Sequence, residues 1–247
     1  MRPAYSRSYF HSHCRAGILT ALSVGNGVSG MIRLTMKFKS VLLAFSLLAV
    51  ASALLAEQQR IPDYDAARSL FWRSLYNQGG ETLYCGEKFG DDRRGLNVEH
   101  VFPMSWVTRE LRCGKRNQCR RRSERFNRIE ADLHNLYPAR REINDARRSY
   151  RFAEIPGELR RFGSCDFEVD DRQRTIEPRP ASRGEIARAM FYMRDTYDLP
   201  IFRKQTELLL RWHRADPPSD EERRRNEVID KIQGTRNPYI DKPELAH

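Results

Sequence analysis

Apolar residues fall into helical spacing at four places in the chain and into shorter runs between them. From Asp63 to Gln78, Leu70, Phe71 and Leu75 share one side of a helix, Asp63 stands near its start, and Gly79-Gly80 ends it. The same spacing predicts helices over Glu185–Tyr197, Lys204–Arg214 and Asp220–Gln233. Ser219 and Glu222 form a capping-box pattern ahead of the last of these, with Gly234 as its stop. The middle reads differently. Thr82–Cys85 and Leu96–Val101 look like short strands around a turn rich in Gly and Asp, a hairpin candidate. With no repeat and no long linker, the pattern predicts a mainly helical α+β domain over residues 57–247.

Ahead of that domain, Met36-Lys37-Phe38-Lys39 leads into 17 uncharged residues, Ser40 to Ala56, with small residues at Ala51, Ser52, Ala53 and Ala56. A basic start, an apolar middle and small residues at the end are the layout of a secretory signal, here residues 36–56, cleaved after Ala56 or Ala53. The rival is a membrane anchor. The run is at the short limit for a span and is followed by Glu57-Gln58-Gln59-Arg60, which favours cleavage and no membrane attachment afterwards. Residues 1–35 lack periodicity and read as an upstream extension.

The 247 residues are 40% hydrophobic and 31% charged, which excludes collagen, mucin and multispan membrane architectures. Losing residues 1–56 removes six basic residues and no acid, lowering the net charge from +11 to +5. It also removes Cys14 and leaves Cys85, Cys113, Cys119 and Cys165, an even number suited to an oxidising compartment. Four cysteines allow three connectivities. Cys113 with Cys119 closes a short loop, and that choice leaves Cys85 for Cys165, although spacing does not decide it. The rival, a zinc site, lacks the tight Cys-x-x-Cys or His spacing.

Charge is concentrated rather than spread. Residues 109–128 carry nine basic side chains (Arg109, Arg112, Lys115, Arg116, Arg120, Arg121, Arg122, Arg125 and Arg128) against Glu110 and Glu124. The bland reading is a solvated face, but the density and the use of arginine, whose planar fork suits phosphate oxygens, point to a polyanion. No apolar stripe alternates with the cluster as a membrane-lying helix would require.

Candidate chemistry flanks this cluster: Glu99-His100 before it, then Asp132-Leu133-His134-Asn135-Leu136-Tyr137-Pro138 and Glu142-Ile143-Asn144 after it. Phosphodiester hydrolysis must deprotonate water, neutralise the phosphoryl oxygens and stabilise the departing oxygen. A histidine serves the first need, and a hard divalent cation held by oxygen ligands serves the others. Glu99, His100 and Asn144 supply that minimum set. Adjacent strand residues point to opposite faces, so Glu99 and His100 can share a pocket only at a strand end, which Pro103 signals. A helix opened by Pro138 would carry Asn144 together with Arg140, Arg147 and Arg148 on one phosphate-facing side.

These segments resemble the bacterial endonuclease I family of periplasmic and secreted nucleases. The resemblance rests on Tyr84-Cys85-Gly86, Asn97-Val98-Glu99-His100-Val101-Phe102-Pro103, Glu130-Ala131-Asp132-Leu133-His134-Asn135-Leu136-Tyr137-Pro138 and Glu142-Ile143-Asn144, with further matches at Gly184–Asp195 and Gln233–Tyr239. It spans about residues 71–240, and the fixed order of motifs is more specific than any one of them. It implies a ββα-metal finger of the His-Asn-His type, with His100 as general base, Glu99 and Asn144 as magnesium ligands, and Asn135 bracing the finger. It further implies that Arg116 holds the scissile or product phosphate and that Glu130 orients His100. Mg2+ is the implied cofactor, with Mn2+ or Ca2+ as substitutes. The substrates would be DNA and often RNA, with little sequence preference and 5′-phosphate products. Arg120, Arg121, Arg122, Arg140, Arg147 and Arg148 are the expected nucleic-acid contacts of a monomer in the periplasm or the medium. The chain departs from the enteric and vibrio members in having fewer cysteines and more arginine over Arg120–Arg128.

Two other classes fit parts of the pattern. A noncatalytic extracellular DNA-binding protein explains the charge but does not need Glu99, His100 and Asn144 to meet. A phosphatase for small esters would not need the arginine cluster. Trp72, Trp106 and Trp212 read as core residues, and His134 as structural.

Overall fold

The computed structural model describes residues 56–157 and 160–247. The expected extension 1–35 and secretory signal 36–56, apart from Ala56, lie outside them. The first helix, α1 (Tyr64–Leu70), starts where Asp63 accepts a hydrogen bond from the Ala66 amide at 2.9 Å, and continues as a π-helical turn over Phe71–Leu75. That wider turn buries Phe71 and Leu75 together. Two-residue strands β1 (Gly80–Glu81) and β2 (Lys88–Phe89) pair next.

The hairpin expected between Thr82–Cys85 and Leu96–Val101 does not form. Strand β3 (Leu96–His100) pairs instead with β4 (Leu136–Arg140), 36 residues further along, while the amide of Leu83 makes one bond to the Pro138 carbonyl at 2.8 Å. Between β3 and β4 lie three seven-residue helices, α2 (Met104–Glu110), α3 (Arg116–Arg122) and α4 (Glu124–Glu130), then a 3-10 turn over Leu133–Asn135. Helix α5 (Arg141–Arg147) follows β4 directly, so an antiparallel pair and a helix form a ββα unit. Pro138, expected to open the helix, stands opposite Val98 in the ladder. An edge strand tolerates proline because the missing amide would face away from the partner.

The remaining strands are β5 (Arg151–Phe152), β6 (Phe167–Asp170) and β7 (Thr175–Pro178), in the order β5-β7-β6. Four helices complete the chain: α6 (Arg183–Tyr197), α7 (Arg203–Ala215), α8 (Asp220–Gln233) and the short α9 (Pro238–Asp241). The three long helices fall where the apolar spacing puts them. Helix α8 has the expected bounds, its Ser219–Glu222 capping box is formed, and Gly234 ends it at φ +78°. The architecture is α+β.

Strand alternation in the ββα unit divides the core. Val98, Leu133 and Leu136 pack with Phe71, Leu75 and Ile229, whereas Tyr137 and Ala139 face a larger cluster that includes Ile143, Phe167 and most of α6. Buried Asp132 ties the two regions together, accepting hydrogen bonds from the hydroxyls of Tyr192 (2.9 Å) and Tyr197 (2.6 Å) and from the Gln233 amide (2.9 Å). Disulfides join Cys85 to Cys165 and Cys113 to Cys119, which resolves the three-way choice. The second closes the loop that carries Gly114, Lys115 and Arg116.

Candidate active site

The end of β3, α2, the disulfide loop and α5 surround a cleft of about 540 Å³. Glu99, His100, Lys115, Arg116, Asn144 and Arg148 line it. Glu99 and His100 do obey strand alternation: Glu99 pairs across the ladder with Tyr137 on the larger-core side, and His100 with Leu136 on the other. Both reach one cleft because β3 stops at His100, and Val101, Phe102 and Pro103 turn the chain into α2.

His100 is buried, with Nε2 2.9 Å from the main-chain oxygen of Glu130. A carbonyl only accepts, so this partner assigns the proton to Nε2 and leaves the lone pair on Nδ1. Burial, and then the nearby Arg116 guanidinium, lower the imidazole from its usual 6.5 to about 3. It is neutral at pH 7. Tyr64 lies beside it, ring centroids 5.1 Å apart, and the guanidinium carbons of Arg116 and Arg120 sit 5.5 and 5.4 Å from the centroid of the Tyr64 ring. Glu130 therefore touches His100 through its backbone, while its buried carboxylate pairs with Arg116 and, at 2.7 Å, with Arg120.

Glu99 is 3% exposed. Its Oε1 accepts from the Tyr84 hydroxyl at 2.7 Å and lies 2.8 Å from Arg147 Nε. Burial raises the carboxyl from its usual value, against the opposing pull of Arg147 and Tyr84. Asn144 uses its amide nitrogen to donate to Asn97 Oδ1 at 2.9 Å, with the Val98 carbonyl 3.5 Å away. Since the Val98 carbonyl can only accept, the flip is set and Oδ1 is the atom left to act as a ligand. Asn135 brackets the turn after β3: Oδ1 accepts from the Phe102 amide at 2.6 Å and Nδ2 donates to the Phe102 carbonyl at 3.1 Å.

The expected phosphate-facing side of the helix is split. Arg147 is fully buried and donates to the carbonyls of Val101 (2.7 Å), Arg148 (3.0 Å) and Tyr150 (3.2 Å), so it cannot meet solvent phosphates. Position 147 lies on the same turn face as Ile143, the side that packs on the core. Arg148 is exposed at the helix end, Arg140 pairs with Glu87 and Glu142 at 2.9 Å each, and Arg121 and Arg122 are exposed on α3. Sequence reasoning did not find Tyr64, Tyr84 or Asn97. Tyr84 and Asn97 stand inside the family motifs, but no spacing ties them to Glu99 or Asn144, and Tyr64 is 36 residues from His100.

A buried imidazole, two oxygen-bearing side chains and the exposed Arg116 and Arg148 line one cleft, and comparison with known proteins makes the protein an enzyme of the nuclease class. The chain belongs to the Endonuclease I family, whose sequence model matches residues 50–244. It is 33% identical over 225 residues to an extracellular deoxyribonuclease of Aeromonas hydrophila, covering 79% of this chain and 97% of the relative. It is 38% identical over 193 residues to a periplasmic deoxyribonuclease of the same organism, covering 68% and 81%. An extracellular ribonuclease of Bacillus subtilis (strain 168) is 34% identical over 134 residues, covering 47% of this chain and 45% of the relative. Nucleases of this family are generally metal-dependent. Among the described residues no helix is long and apolar enough to cross a membrane.

Proposed function

We propose that the protein is a secreted or periplasmic, magnesium-dependent endonuclease that hydrolyses DNA and RNA without sequence preference and leaves 5′-phosphate ends. The observation that carries this reading is the meeting of His100, Glu99, Asn144 and Arg116 at one cleft from three separate stretches of chain. His100 Nδ1 takes the proton of an attacking water. Arg116, with Nε committed to Glu130, offers its terminal nitrogens to the phosphate, and Asn135 braces the turn that aims His100. The exposed Arg121, Arg122 and Arg148, with the half-buried and carboxylate-paired Arg120 and Arg140 beside them, hold backbone phosphates, so affinity falls steeply with salt and depends little on sequence.

The donor set fits a hard cation. Glu99 and Asn144 both bring side-chain oxygens to the cleft, and Mg2+ keeps most of its hydration and accepts one or two protein oxygens. Glu99 Oε2 and Asn144 Oδ1 would hold it, with Mn2+ or Ca2+ as substitutes. Bound there, the ion would draw charge from the phosphate oxygens and stabilise the leaving 3′ oxygen.

Nicking of supercoiled plasmid, with and without chelator, tests this directly. Chelation should stop cleavage, and His100→Ala should lower the rate by about 10²–10⁴-fold. Full activity of His100→Ala would overturn the mechanism, and binding of plasmid without cleavage under any divalent ion would leave only a nucleic-acid-binding protein. The enzyme is expected to work as a monomer.

A further inference from the structure

Beside the cleft, a recess of about 740 Å³ is lined by Gly95, Arg140, Arg141, Asp145, Arg148 and Arg161 among others. Arg141 and Asp145 share one face of α5, Arg148 follows the helix end directly, and Asn144 on the adjacent face lines the cleft. Arg148 lines both spaces. Among the described residues no carboxylate pairs with it at short range: Nη1 donates to the Tyr150 hydroxyl at 3.1 Å, and that hydroxyl donates to Asp171 at 2.9 Å. Arg161 reaches the other Asp171 oxygen at 3.4 Å, and both side chains are more than half exposed. Such a long, hydrated pair holds its arginine weakly. Arg140 is shared between Glu87 and Glu142 at 2.9 Å each, so among the described residues the recess sets Arg140, Arg141, Arg148 and Arg161 against Glu142 and Asp145.

The backbone supports the same conclusion. Arg148 adopts φ 52°, ψ −126° in a turn closed by the Tyr150 amide on the Arg147 carbonyl at 3.2 Å. This is the second position of a type II′ turn, where glycine is the residue that fits without strain. A long cationic side chain is held there, at the junction of two basic spaces and next to a candidate metal ligand.

We propose that the recess is a second phosphate subsite. In it Arg148 and Arg161 hold a backbone phosphate of the strand whose scissile phosphate lies in the cleft, with Tyr150 and Asp171 aiming Arg148. This rests on the nuclease reading and extends it: the substrate is a chain of several nucleotides passing from the cleft over Arg148 into the recess, not an isolated diester.

The test pairs binding with cleavage, using fluorescent single-stranded oligonucleotides of 4–20 nucleotides with wild type, Arg161→Ala and Arg161→Lys. Binding is measured in chelator across a salt series, which needs no chemistry. Arg161→Ala should flatten the slope of log affinity against log salt by about 0.7, the loss of one single-strand phosphate contact, and Arg161→Lys should restore most of it. With Mg2+, the rise in kcat/KM as the oligonucleotide lengthens should be several-fold smaller in Arg161→Ala. An unchanged slope and unchanged length dependence would overturn the subsite, as would a loss of affinity that merely follows a fall in melting temperature. A wild-type protein that binds with the expected slope but does not cleave would instead overturn the nuclease reading.

Discussion

Arg147→Met separates a buried counter-ion from a phosphate contact. The side chain is fully buried, its Nε lies 2.8 Å from Glu99 Oε1, it donates to three carbonyls, and it stands 5.2 Å from the centroid of the Phe152 ring. Methionine fills similar space and keeps the apolar contact, but it strands the Glu99 carboxylate. Breaking a buried ion pair from one side costs about 3–5 kcal/mol, and each stranded carbonyl adds about 1 kcal/mol or more, not additively. Against a total stability of about 5–15 kcal/mol this is a large loss. At about 2–4 °C per kcal/mol for a domain of this size, the melting temperature should fall by about 10 °C or more.

The loss should depend on pH. Burial already raises the Glu99 carboxyl, and without Arg147 it rises further. A folded-state pKa above the unfolded value gives stability below the unfolded value, near 4.5, that drains away as pH rises. The destabilisation should therefore be greater at pH 8 than at pH 5, and Glu99→Gln in the same chain should recover part of it. Circular dichroism melts of the four proteins in that double-mutant cycle measure each term. If Arg147→Met melted within about 3 °C of wild type and only its nucleic-acid affinity fell, the side chain would be a phosphate contact and the reasoning from burial would be refuted.

Three further outcomes follow from the same geometry. Tyr84→Phe and Asn97→Ala each remove the partner that orients a proposed ligand, and each should raise the Mg2+ concentration for half-maximal nicking by about 10–100-fold, read from a metal titration. Burial lowers His134 to about 4, so its neutral form gives stability that is complete above pH 6.5 and is lost, at up to about 1.4 kcal/mol per pH unit, as pH falls towards 4; His134→Asn should flatten that part of the melting-temperature profile. Cys113→Ser with Cys119→Ser frees the loop that carries Lys115 and Arg116, and kcat/KM should fall more steeply than the melting temperature, a comparison that an equal fall in both would decide the other way.

Signals that are local in the chain were read without the fold. Helix α8 carries its own capping box and its own glycine stop, α6 and α7 carry their own apolar spacing, and the four cysteines of residues 57–247 reduce the pairing to three choices. The ordered motifs around Glu99-His100, Asn135 and Asn144 contain three residues that line the cleft and the asparagine that brackets the turn beside it.

What tertiary structure alone decided depends on pairing and depth, which residue order does not encode locally. Strand β3 could have turned back on Thr82–Cys85, yet it pairs with β4, because only that ladder places Val98 and Leu136 in one core and Tyr137 in the other. Arg147 and Arg148 are the same residue type, side by side, with the same helical neighbours in sequence. One is sealed inside as the counter-ion of Glu99, on the helix face it shares with Ile143, and the other stands in solvent just past the helix end, where a positive φ turns the chain out of the helical path.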